Sequence, residues 1–417
     1  MSGVYVLGID VGTSHTVAVA RTPDGRVRPL LFDGSPLLPS AVYADGTTLL
    51  VGRDAVASAK REPARFEPHP KRRVDEGSVL LGEREVSVVE LLAAVLRRVD
   101  DEWTRVIGSA RPSVVLTVPA TWGAHRRDVL LAAARAAGYA RVHLVPEPVA
   151  AATYFAEILG EAFPVGSVLA IHDVGAGTSD VSLVARSPEN FEVVGTAGAD
   201  VGGIDLDAAV VDDLKRRHAH PAWERLTRPR TVAERRAARL LWDDVRTAKE
   251  RLSRNTSADV HVPLVDADAH LTRDELETLA TPTIAASIAL TTRLVERLDR
   301  PLAGVFLVGG TSRLPLLGTL LFQALGRAPV VLEQPETVVA EGSIRHAPQT
   351  EAPASAPMPE VRRGRRPWLR LAGVAAALPV AAGAVLAVAG AVVGVILVGI
   401  VLWSVLTGQG WIPDLVF

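Results

Sequence analysis

Over residues 1–347, short apolar runs rich in β-branched residues alternate with longer stretches of mixed polarity. The runs are typical of buried strands, and the clearest of them cover residues 4–9, 114–118, 168–171 and 305–308. The intervening stretches have the length and composition of helices, most clearly at residues 124–137, 149–158 and 235–252. Strands that alternate with helices predict an α/β fold in which helices cover a sheet.

The pattern changes after residue 347. Residues 348–370 form a Pro/Ala-rich linker that ends in a basic cluster of Arg362, Arg363, Arg365, Arg366 and Arg370. Residues 371–406 are almost continuously apolar, and no residue from 371 to 413 is charged. Because a membrane-spanning helix needs about 20 apolar residues, we predict a transmembrane segment at 371–406. A buried core helix is the alternative, but such a helix shows a polar face.

Charge and position predict how this segment is oriented. The arginines before the span are expected to stay cytoplasmic, which places residues 1–347 in the cytoplasm and a short tail, 407–417, outside a single-pass plasma-membrane anchor. Met1 leads directly into the first strand without a basic, apolar leader, so we expect no signal peptide. Pro379 either kinks the apolar helix or marks its start, and two very short crossing helices are the minor alternative.

Composition excludes several classes of function. Lys and Arg number 45 against 47 Asp and Glu, a formal net charge of −2, so no bulk charge attracts nucleic acid and we expect no nucleic-acid partner. Cysteine is absent, which rules out disulfides, thiolate catalysis and cysteine-ligated metals.

Two acidic glycine loops, residues 8–16 and 173–180, each follow a strand-like run. Glycines let backbone N–H groups approach phosphate oxygens closely, and nearby hydroxyls add donors. One aspartate in each loop, Asp10 and Asp173, is suited to hold a hydrated Mg²⁺. Two similar loops about 160 residues apart therefore predict a duplicated fold that binds one nucleotide.

Other motifs are weaker when taken singly. Lys71 lies in a basic run, and such a run taken alone is typical of a solvated surface. Glu147 lies between two prolines, and this pattern taken alone is typical of an ordinary helix start. The glycine pair at 202–203 opens a predicted helix, and the pair at 309–310 follows a predicted strand. The chain contains no Gly-Lys pair, which excludes a P-loop, and the second loop lacks the third glycine of a dinucleotide fingerprint.

Taken in order over residues 3–347, these motifs resemble the nucleotide-binding domain of the heat-shock protein 70 chaperones, within the actin/sugar-kinase ATPase superfamily. The resemblance implies a two-lobed actin-like ATPase fold built from duplicated ribonuclease-H-like domains, with lobes at 1–165 and 166–347. It also implies ATP or ADP with Mg²⁺ in the central cleft.

The resemblance assigns roles by position in this sequence. It implies that Lys71, Glu147, Asp173 and Asp10 are catalytic, and that Asp10 and Asp173 hold Mg²⁺ through water. Pro119 and Arg127 match residues linked to interdomain signalling. The implied nucleotide contacts are Gly12, Thr13, Ser14, Gly175, Ala176, Gly177, Thr178, Gly202, Gly203, Lys249, Ser253, Gly309, Gly310, Ser312, Arg313 and Glu336.

The chain departs from the family's pattern in several places. Arg246 replaces the glutamate that usually helps hold the adenosine ribose, Ala176 replaces a glycine, and Glu336 stands where aspartate is usual. After residue 347 the linker and apolar segment stand where the family's peptide-binding β-sandwich and helical lid are expected.

The function expected from this sequence is that of a membrane-anchored cytoplasmic ATP-binding protein of chaperone type. It would be a slow Mg²⁺-dependent ATPase whose nucleotide state controls an unidentified, membrane-proximal protein partner. The alternative is a nucleotide-sensing membrane scaffold that does not hydrolyse ATP. A small-molecule kinase lacks support because no acceptor-site motif is present, and nothing in the sequence favours an actin-like filament.

Overall fold

The computed structural model describes residues 4–158, 160 and 163–347. The predicted linker at 348–370, the transmembrane segment at 371–406 and the tail at 407–417 lie outside the described residues. No helix in the described ranges is long and apolar enough to cross a bilayer.

The strands of the described residues are given in chain order. They are β1 (Val6–Val11), β2 (His15–Arg21), β3 (Val27–Pro29), β4 (Leu38–Pro39), β5 (Val42–Asp45), β6 (Thr48–Val51), β7 (Phe66–Glu67), β8 (Ser78–Leu81), β9 (Arg84–Ser87), β10 (Ser113–Val118), β11 (Val142–Pro146), β12 (Val168–Val174), β13 (Ser179–Arg186), β14 (Phe191–Ala199), β15 (Ser257–Val262), β16 (Ala267–Thr272) and β17 (Leu302–Val308).

The helices follow the same convention. They are α1 (Arg53–Ala59), α2 (Val88–Ile107), α3 (Ala124–Ala136), α4 (Glu147–Thr153), α5 (Gly203–Arg217), α6 (Trp223–Thr227), α7 (Val232–Leu252), α8 (Arg273–Val295), α9 (Pro315–Leu325) and α10 (Val338–Ser343). Short 3-10 turns occur at Pro63–Arg65, Pro70–Arg73, Gly310–Arg313 and Ile344–His346, and a π-helical turn at Tyr154–Ile158 extends α4.

Two sheets share one design. In the first, β1 pairs antiparallel with β2 and parallel with β10, giving the order β11-β10-β1-β2-β3. In the second, β12 pairs antiparallel with β13 and parallel with β17, giving the order β14-β13-β12-β17. An isolated parallel bridge from Phe306 to Val330 extends the second sheet where β11 extends the first. This arrangement confirms the α/β class predicted from the alternating pattern.

Helices bury the outer face of each sheet. Leu92, Leu96 and Trp103 of α2 pack on the first sheet together with α3, and α5, α7, α8 and α9 pack on the second. The apolar stripe of α2 recurs at three- and four-residue intervals, as burial of one helix face requires. Burial of these side chains removes apolar surface from water, the dominant stabilising term in such a core.

A third apolar cluster lies between the two sheets. It combines residues of the first sheet, such as Val6 and Val115, with residues of the second, such as Ile171 and Phe306, and with the short helices α4 and α10. The two helices touch so closely that a Cβ at Gly342 would overlap the carbonyl oxygen of Ala150. The two helices therefore form part of the contact between the sheets whose strands carry Asp10 and Asp173.

Candidate functional site

A cleft of about 470 Å³ lies where residues from both sheets converge. Its volume is within the range typical of small-molecule sites. Most of the sequence-predicted site residues line it: Asp10, Gly12, Thr13, Ser14, Lys71, Glu147, Asp173, Gly175, Ala176, Thr178, Gly203, Lys249, Ser253, Gly309, Gly310, Arg313 and Glu336. Gly177, Gly202 and Ser312 do not line it.

The two acidic loops are the turns that join β1 to β2 and β12 to β13. Asp10 and Asp173 occupy the same place in the two sheets, one residue before the end of β1 and of β12. The hydroxyl of Thr117 donates a hydrogen bond to Asp10 Oδ1 at 2.7 Å. A Cβ at Gly177 would lie 3.2 Å from Thr13 Cγ2, so the second loop packs directly against the first. The structure therefore brings the two loops together, as the sequence predicts.

Asp173 is held beside the glycine turn that follows β17. A Cβ at Gly309 would overlap Asp173 Oδ1 and would lie 2.6 Å from the carbonyl oxygen of Val174. Gly309 has a φ of 80°, a backbone conformation that favours glycine. Burial raises the pKa of Asp173 well above its usual range, and the nearby carboxyl groups of Glu147 and Asp180 act in the same direction.

Lys71 and Glu147 form an ion pair inside the cleft. Lys71 Nζ lies 3.0 Å from Glu147 Oε1, and the two side chains are only 14% and 11% exposed. Burial raises the pKa of Glu147 to about 7, although Lys71 acts in the opposite direction. Burial lowers the pKa of Lys71, but Glu147, Asp10 and Asp173 together leave it raised, so the lysine stays charged. Lys71 Nζ also lies 5.4 Å from the ring centroid of Trp122.

Asp180 is a cleft residue that the sequence reasoning missed. It lines the cleft, faces Asp173 across the β12–β13 pairing and accepts a hydrogen bond from Thr121 Oγ1 at 3.1 Å. Burial raises its pKa, while hydrogen bonds from Thr178 and Thr121 oppose that rise. The signal was present, because the second acidic loop ends in an aspartate at the position paired with Asp173.

Hydrogen bonds tie the second loop to α5 and to the glycine turn. Thr311 Oγ1 donates to the carbonyl of Gly175 at 2.9 Å. Lys249 Nζ donates to the carbonyl of Gly203 at 2.6 Å and lies 2.7 Å from Asp207 Oδ1. These contacts hold the loop that the sequence predicts to bind phosphate.

Two of the residues that do not line the cleft support it from behind. A Cβ at Gly202 would lie 2.8 Å from the carbonyl oxygen of Ala176, so Gly202 lets α5 approach the second loop. The buried hydroxyl of Ser312 donates to the carbonyl of Gly309 at 2.6 Å. Gly202 and Ser312 thus contact residues that line the cleft without lining it themselves, and their predicted nucleotide contacts stay a prediction.

The far end of the cleft is bounded by a two-pronged ion pair. Arg313 Nε and Nη2 lie 2.7 and 2.9 Å from the two carboxylate oxygens of Glu336. A Cβ at Gly310 would lie 3.7 Å from Glu336 Oε1. Leu314 and Val339 add apolar surface to the cleft lining. A glycine-lined surface beside apolar side chains suits a flat ring such as a purine.

Arg246 lies close enough to two histidines, His15 and His69, to interact with them electrostatically. His15 and Arg246 both line the cleft, and His69 Nδ1 donates to the carbonyl of Thr13 at 3.3 Å. Burial lowers the pKa of both histidines to about 4, and the Arg246 guanidinium lowers it further in each case. Sequence reasoning did not single out His15 or His69 as site residues.

The donor set of the cleft fits a magnesium nucleotide. Ser14 Oγ is buried and makes no hydrogen bond to any described residue, so the first loop has a hydroxyl to offer a ligand. Asp10 and Asp173 supply the carboxylate oxygens that Mg²⁺ prefers. Over residues 4–347, apart from the positions not described, no three acidic or histidine side chains form a direct metal site.

The two walls also touch through residues that do not line the cleft, at a contact here named the rim. From α7, Arg236 Nε donates to the carbonyl of Arg61 at 3.0 Å. The guanidinium of Arg239 lies 4.1 Å from the ring centroid of Phe66. The contact joins a helix packed on the second sheet to the segment around β7.

Comparison with known proteins agrees with this architecture. Residues 69–348 match the family model described as Hsp70 protein. The chain is 32% identical over 373 residues to the Chaperone protein HscA homolog of Bordetella pertussis, an alignment that covers 82% of this chain and 57% of that protein. It is 28% identical over 361 residues to the Chaperone protein DnaK of Thermotoga maritima, covering 81% of this chain and 58% of that one.

A second HscA homolog, from Acidithiobacillus ferrooxidans, is 30% identical over 370 residues, which cover 81% of this chain and 57% of the relative. The chain thus spans less than two thirds of the length of these curated relatives. The family model covers well over half of the chain, and the order of the matched motifs agrees with the geometry of the cleft. The chain belongs to the Hsp70 family.

Proposed function

We propose that this protein is a membrane-anchored, cytoplasmic Hsp70-type protein that binds ATP and hydrolyses it slowly with Mg²⁺. The observation that carries the proposal is the meeting of two acidic glycine loops, from two sheets of the same design, around the buried Lys71–Glu147 pair. A single loop would fit many ligands, whereas two opposed loops fit a chain of phosphates.

The chain's own groups divide the binding work. The backbone N–H of Gly12 and the hydroxyls of Thr13, Ser14 and Thr178 would hold the phosphates. The backbone N–H of Gly175 donates to the carbonyl of Thr178 and so shapes the second turn. The turn at Gly309 and Gly310, bounded by the Arg313–Glu336 pair, would hold the purine. Asp10 and Asp173 would hold Mg²⁺ through water, and the ion would neutralise charge on the phosphates.

Lys71 and Glu147 would perform the catalytic work. Lys71 would orient the attacking water and stabilise the negative charge that develops on the γ-phosphate. Glu147 would orient the same water, and its pKa of about 7 suits it to accept a proton near neutral pH. The low exposure of both side chains strengthens these electrostatic interactions.

Nucleotide state would be transmitted by the relative position of the two walls. One loop belongs to each sheet, and the contact between α4 and α10 lies between the sheets. A ligand that draws the loops together would therefore shift the α4–α10 contact. We propose that an unidentified protein partner near the membrane reads this change. The apolar residues 371–406 and the basic cluster before them would anchor the chain with its nucleotide-binding part in the cytoplasm.

Equilibrium binding of ATP and ADP to the purified full-length chain, with and without Mg²⁺, tests this proposal. We expect Mg²⁺-dependent binding that weakens at least about tenfold in Asp10→Asn and Asp173→Asn, because each variant loses a charge-assisted contact. Asp54→Asn, on an exposed face of α1, serves as the matched control and should bind as the unchanged protein does. Binding that does not depend on Mg²⁺ and that is unchanged in both cleft variants would contradict the proposal.

A further inference from the structure

Two cations that line the cleft, Arg246 and Arg254, have no side-chain partner among the residues that the structure describes, and Arg246 is the less exposed of the two. Lys71 pairs with Glu147, Lys249 with Asp207 and Arg313 with Glu336. Arg246 lines the same cleft but makes no side-chain hydrogen bond or ion pair with any residue that the structure describes. An arginine held in a ligand cleft without a protein partner is available to an anion of the ligand.

Electrostatic effects locate this guanidinium. Arg246 helps lower the pKa of His15 and of His69, after burial, which is the larger cause in both. Glu336 acts on His15 in the opposite direction. Arg246 also acts on the carboxyl group of Asp207. The guanidinium therefore lies within Coulombic range of the first loop's His15 and of Asp207 on α5.

This position corresponds to the middle of a bound nucleotide. The inference rests on the proposed function, in which the phosphates lie on the loops at 10–14 and 173–178 and the purine lies at Gly309 and Gly310. The sugar must then lie between them, in the part of the cleft that His15 and Arg246 line. His15 and His69 are kept neutral by burial, so they do not repel the guanidinium across the cleft.

The chemistry of arginine suggests what it meets there. A carboxylate accepts hydrogen bonds from ribose hydroxyls, whereas a guanidinium accepts none and instead donates in pairs to phosphate oxygens. Dinucleotide-binding folds show the same choice, because an acidic residue holds a free ribose hydroxyl and an arginine accommodates a ribose phosphate. We propose that the cleft takes an adenine nucleotide that carries a phosphate on its ribose, and that Arg246 determines this specificity.

Calorimetric titration of the full-length chain with three probes tests the proposal. The probes are ADP, ADP with a 3′-phosphate and ADP with a 2′-phosphate, each with Mg²⁺. We expect one of the two ribose-phosphorylated probes to bind at least about tenfold more tightly than ADP, the gain typical of a new charge-assisted, paired contact. Arg246→Glu should reverse the preference, and Arg246→Ala should abolish it.

Arg251→Glu is the matched control, because Arg251 lies on α7 at an exposed position and does not line the cleft. It should keep the preference of the unchanged protein. Equal binding of all three probes to the unchanged protein would overturn the inference and leave the proposed function standing. Loss of ADP affinity in Arg246→Ala without any ribose-phosphate preference would also overturn it, since Arg246 would then bind the 5′-phosphates. Failure of every probe to bind would overturn the proposed function as well.

Discussion

At the scale of single residues, the cleft holds more buried charge than a stable core requires. Lys71, Glu147, Asp173 and Asp180 lie close enough together to shift one another's pKa values. Burying such groups costs free energy that their mutual attraction only partly offsets. We interpret this cost as the consequence of arranging charges for a ligand that brings its own phosphates and metal ion.

The pKa of Glu147 predicts how stability depends on pH. It is raised from 4.5 to about 7 in the folded chain, so between these values the folded state holds a proton that the unfolded state has released. The stabilising contribution is therefore complete below the unfolded pKa and is lost as pH rises through about 7. In urea unfolding without nucleotide, Glu147→Gln should lose less stability than the unchanged protein between about pH 5 and about pH 8.

Asp173 and Asp180 titrate in the same direction, so the variant should retain part of the pH dependence. The Lys71 contact provides the internal check, because the glutamine oxygen can still accept its hydrogen bond. If the free energy of unfolding falls equally in the two proteins over this pH range, Glu147 does not hold the extra proton.

Gly309 offers a second test at this scale. Its φ of 80° and ψ of 155° lie in a region nearly restricted to glycine, and a Cβ there would overlap Asp173 Oδ1. Gly309→Ala should cost about 1–3 kcal/mol of unfolding free energy and weaken Mg²⁺-dependent nucleotide binding. Gly46→Ala is the control, because Gly46 also has a positive φ but has open space around it. Equal losses of stability and unaltered binding in the two variants would contradict this account.

Sequence reasoning found residues that belong to a recognisable run and missed those defined only by folding. Asp10 and Asp173 lie in glycine loops that follow apolar runs, so their pattern is local. His69 contacts the first loop from a segment 56 residues away in the chain, through its hydrogen bond to the carbonyl of Thr13. No spacing rule predicts such a contact. Ser312 is the opposite case. It lies in a motif that the sequence identifies, but its hydroxyl donates to the carbonyl of Gly309 in its own turn.

At the scale of secondary-structure elements, α7 connects the ligand cleft to its rim. Its C-terminal turns carry Arg246 and Lys249 on the cleft wall, and its N-terminal half carries the Arg236 and Arg239 contacts to the opposite wall. A capping box between Thr231 and Glu234 fixes where this helix starts. One helix therefore carries residues of both the cleft wall and the rim contact.

Weakening the rim contact should speed nucleotide release. The Arg239 side chain is only 17% exposed, and a cation–π contact contributes from about 0.5 kcal/mol at an exposed site to about 2 kcal/mol when desolvated. Arg239→Ala should therefore release ADP roughly two- to thirtyfold faster. Phe66→Leu should have a similar effect, and the double variant should release no faster than either single one, because both remove the same contact. Stopped-flow release of a fluorescent ADP measures this.

Arg251→Ala, on the exposed side of the same helix, is the control and should leave the rate unchanged. Fully additive effects of Arg239→Ala and Phe66→Leu would mean that the two side chains act separately. Unchanged release in both single variants would mean that the rim does not limit nucleotide exit.

Strands with long apolar runs can be predicted from the sequence, whereas the shortest strands cannot. The runs at 114–118 and 305–308 correspond to β10 and β17, because strands that are buried on both faces have continuous apolar sequences. Helix 235–252 was predicted within α7 but begins earlier, at Val232, where Thr231 caps it. The short strands β5 to β9 were not predicted, because strands of two to four residues have no periodicity to detect.

At the scale of the whole molecule, the repeated sheet is the property from which the site follows. The two sheets have corresponding strand orders and so have equivalent strand ends. Helices α4 and α10 pack between the two sheets. The presence of two similar loops predicts this duplication, whereas the α4–α10 contact depends on close approaches such as Gly342 to Ala150 that sequence does not reveal. The lobe boundary at 165/166 stays a prediction.

Membrane attachment is a prediction about the full chain. The uncharged residues 371–413 exceed the length of a spanning helix, so the protein should sediment with membranes and resist extraction by carbonate. Deletion of 371–406 should move it to the supernatant, whereas deletion of the linker residues 348–360 should not. A full-length protein that is extracted by carbonate would contradict the predicted anchor.

The central claim is that this cleft hydrolyses ATP through Lys71, and single-turnover hydrolysis tests it most directly. We would compare the full-length chain with Lys71→Ala and with Lys60→Ala, an exposed lysine that does not line the cleft. The account predicts Mg²⁺-dependent hydrolysis that falls about 100-fold or more in Lys71→Ala, with ATP still bound, and that is unchanged in Lys60→Ala. Bound ATP that is not hydrolysed by the unchanged protein, or that Lys71→Ala hydrolyses equally fast, would contradict it.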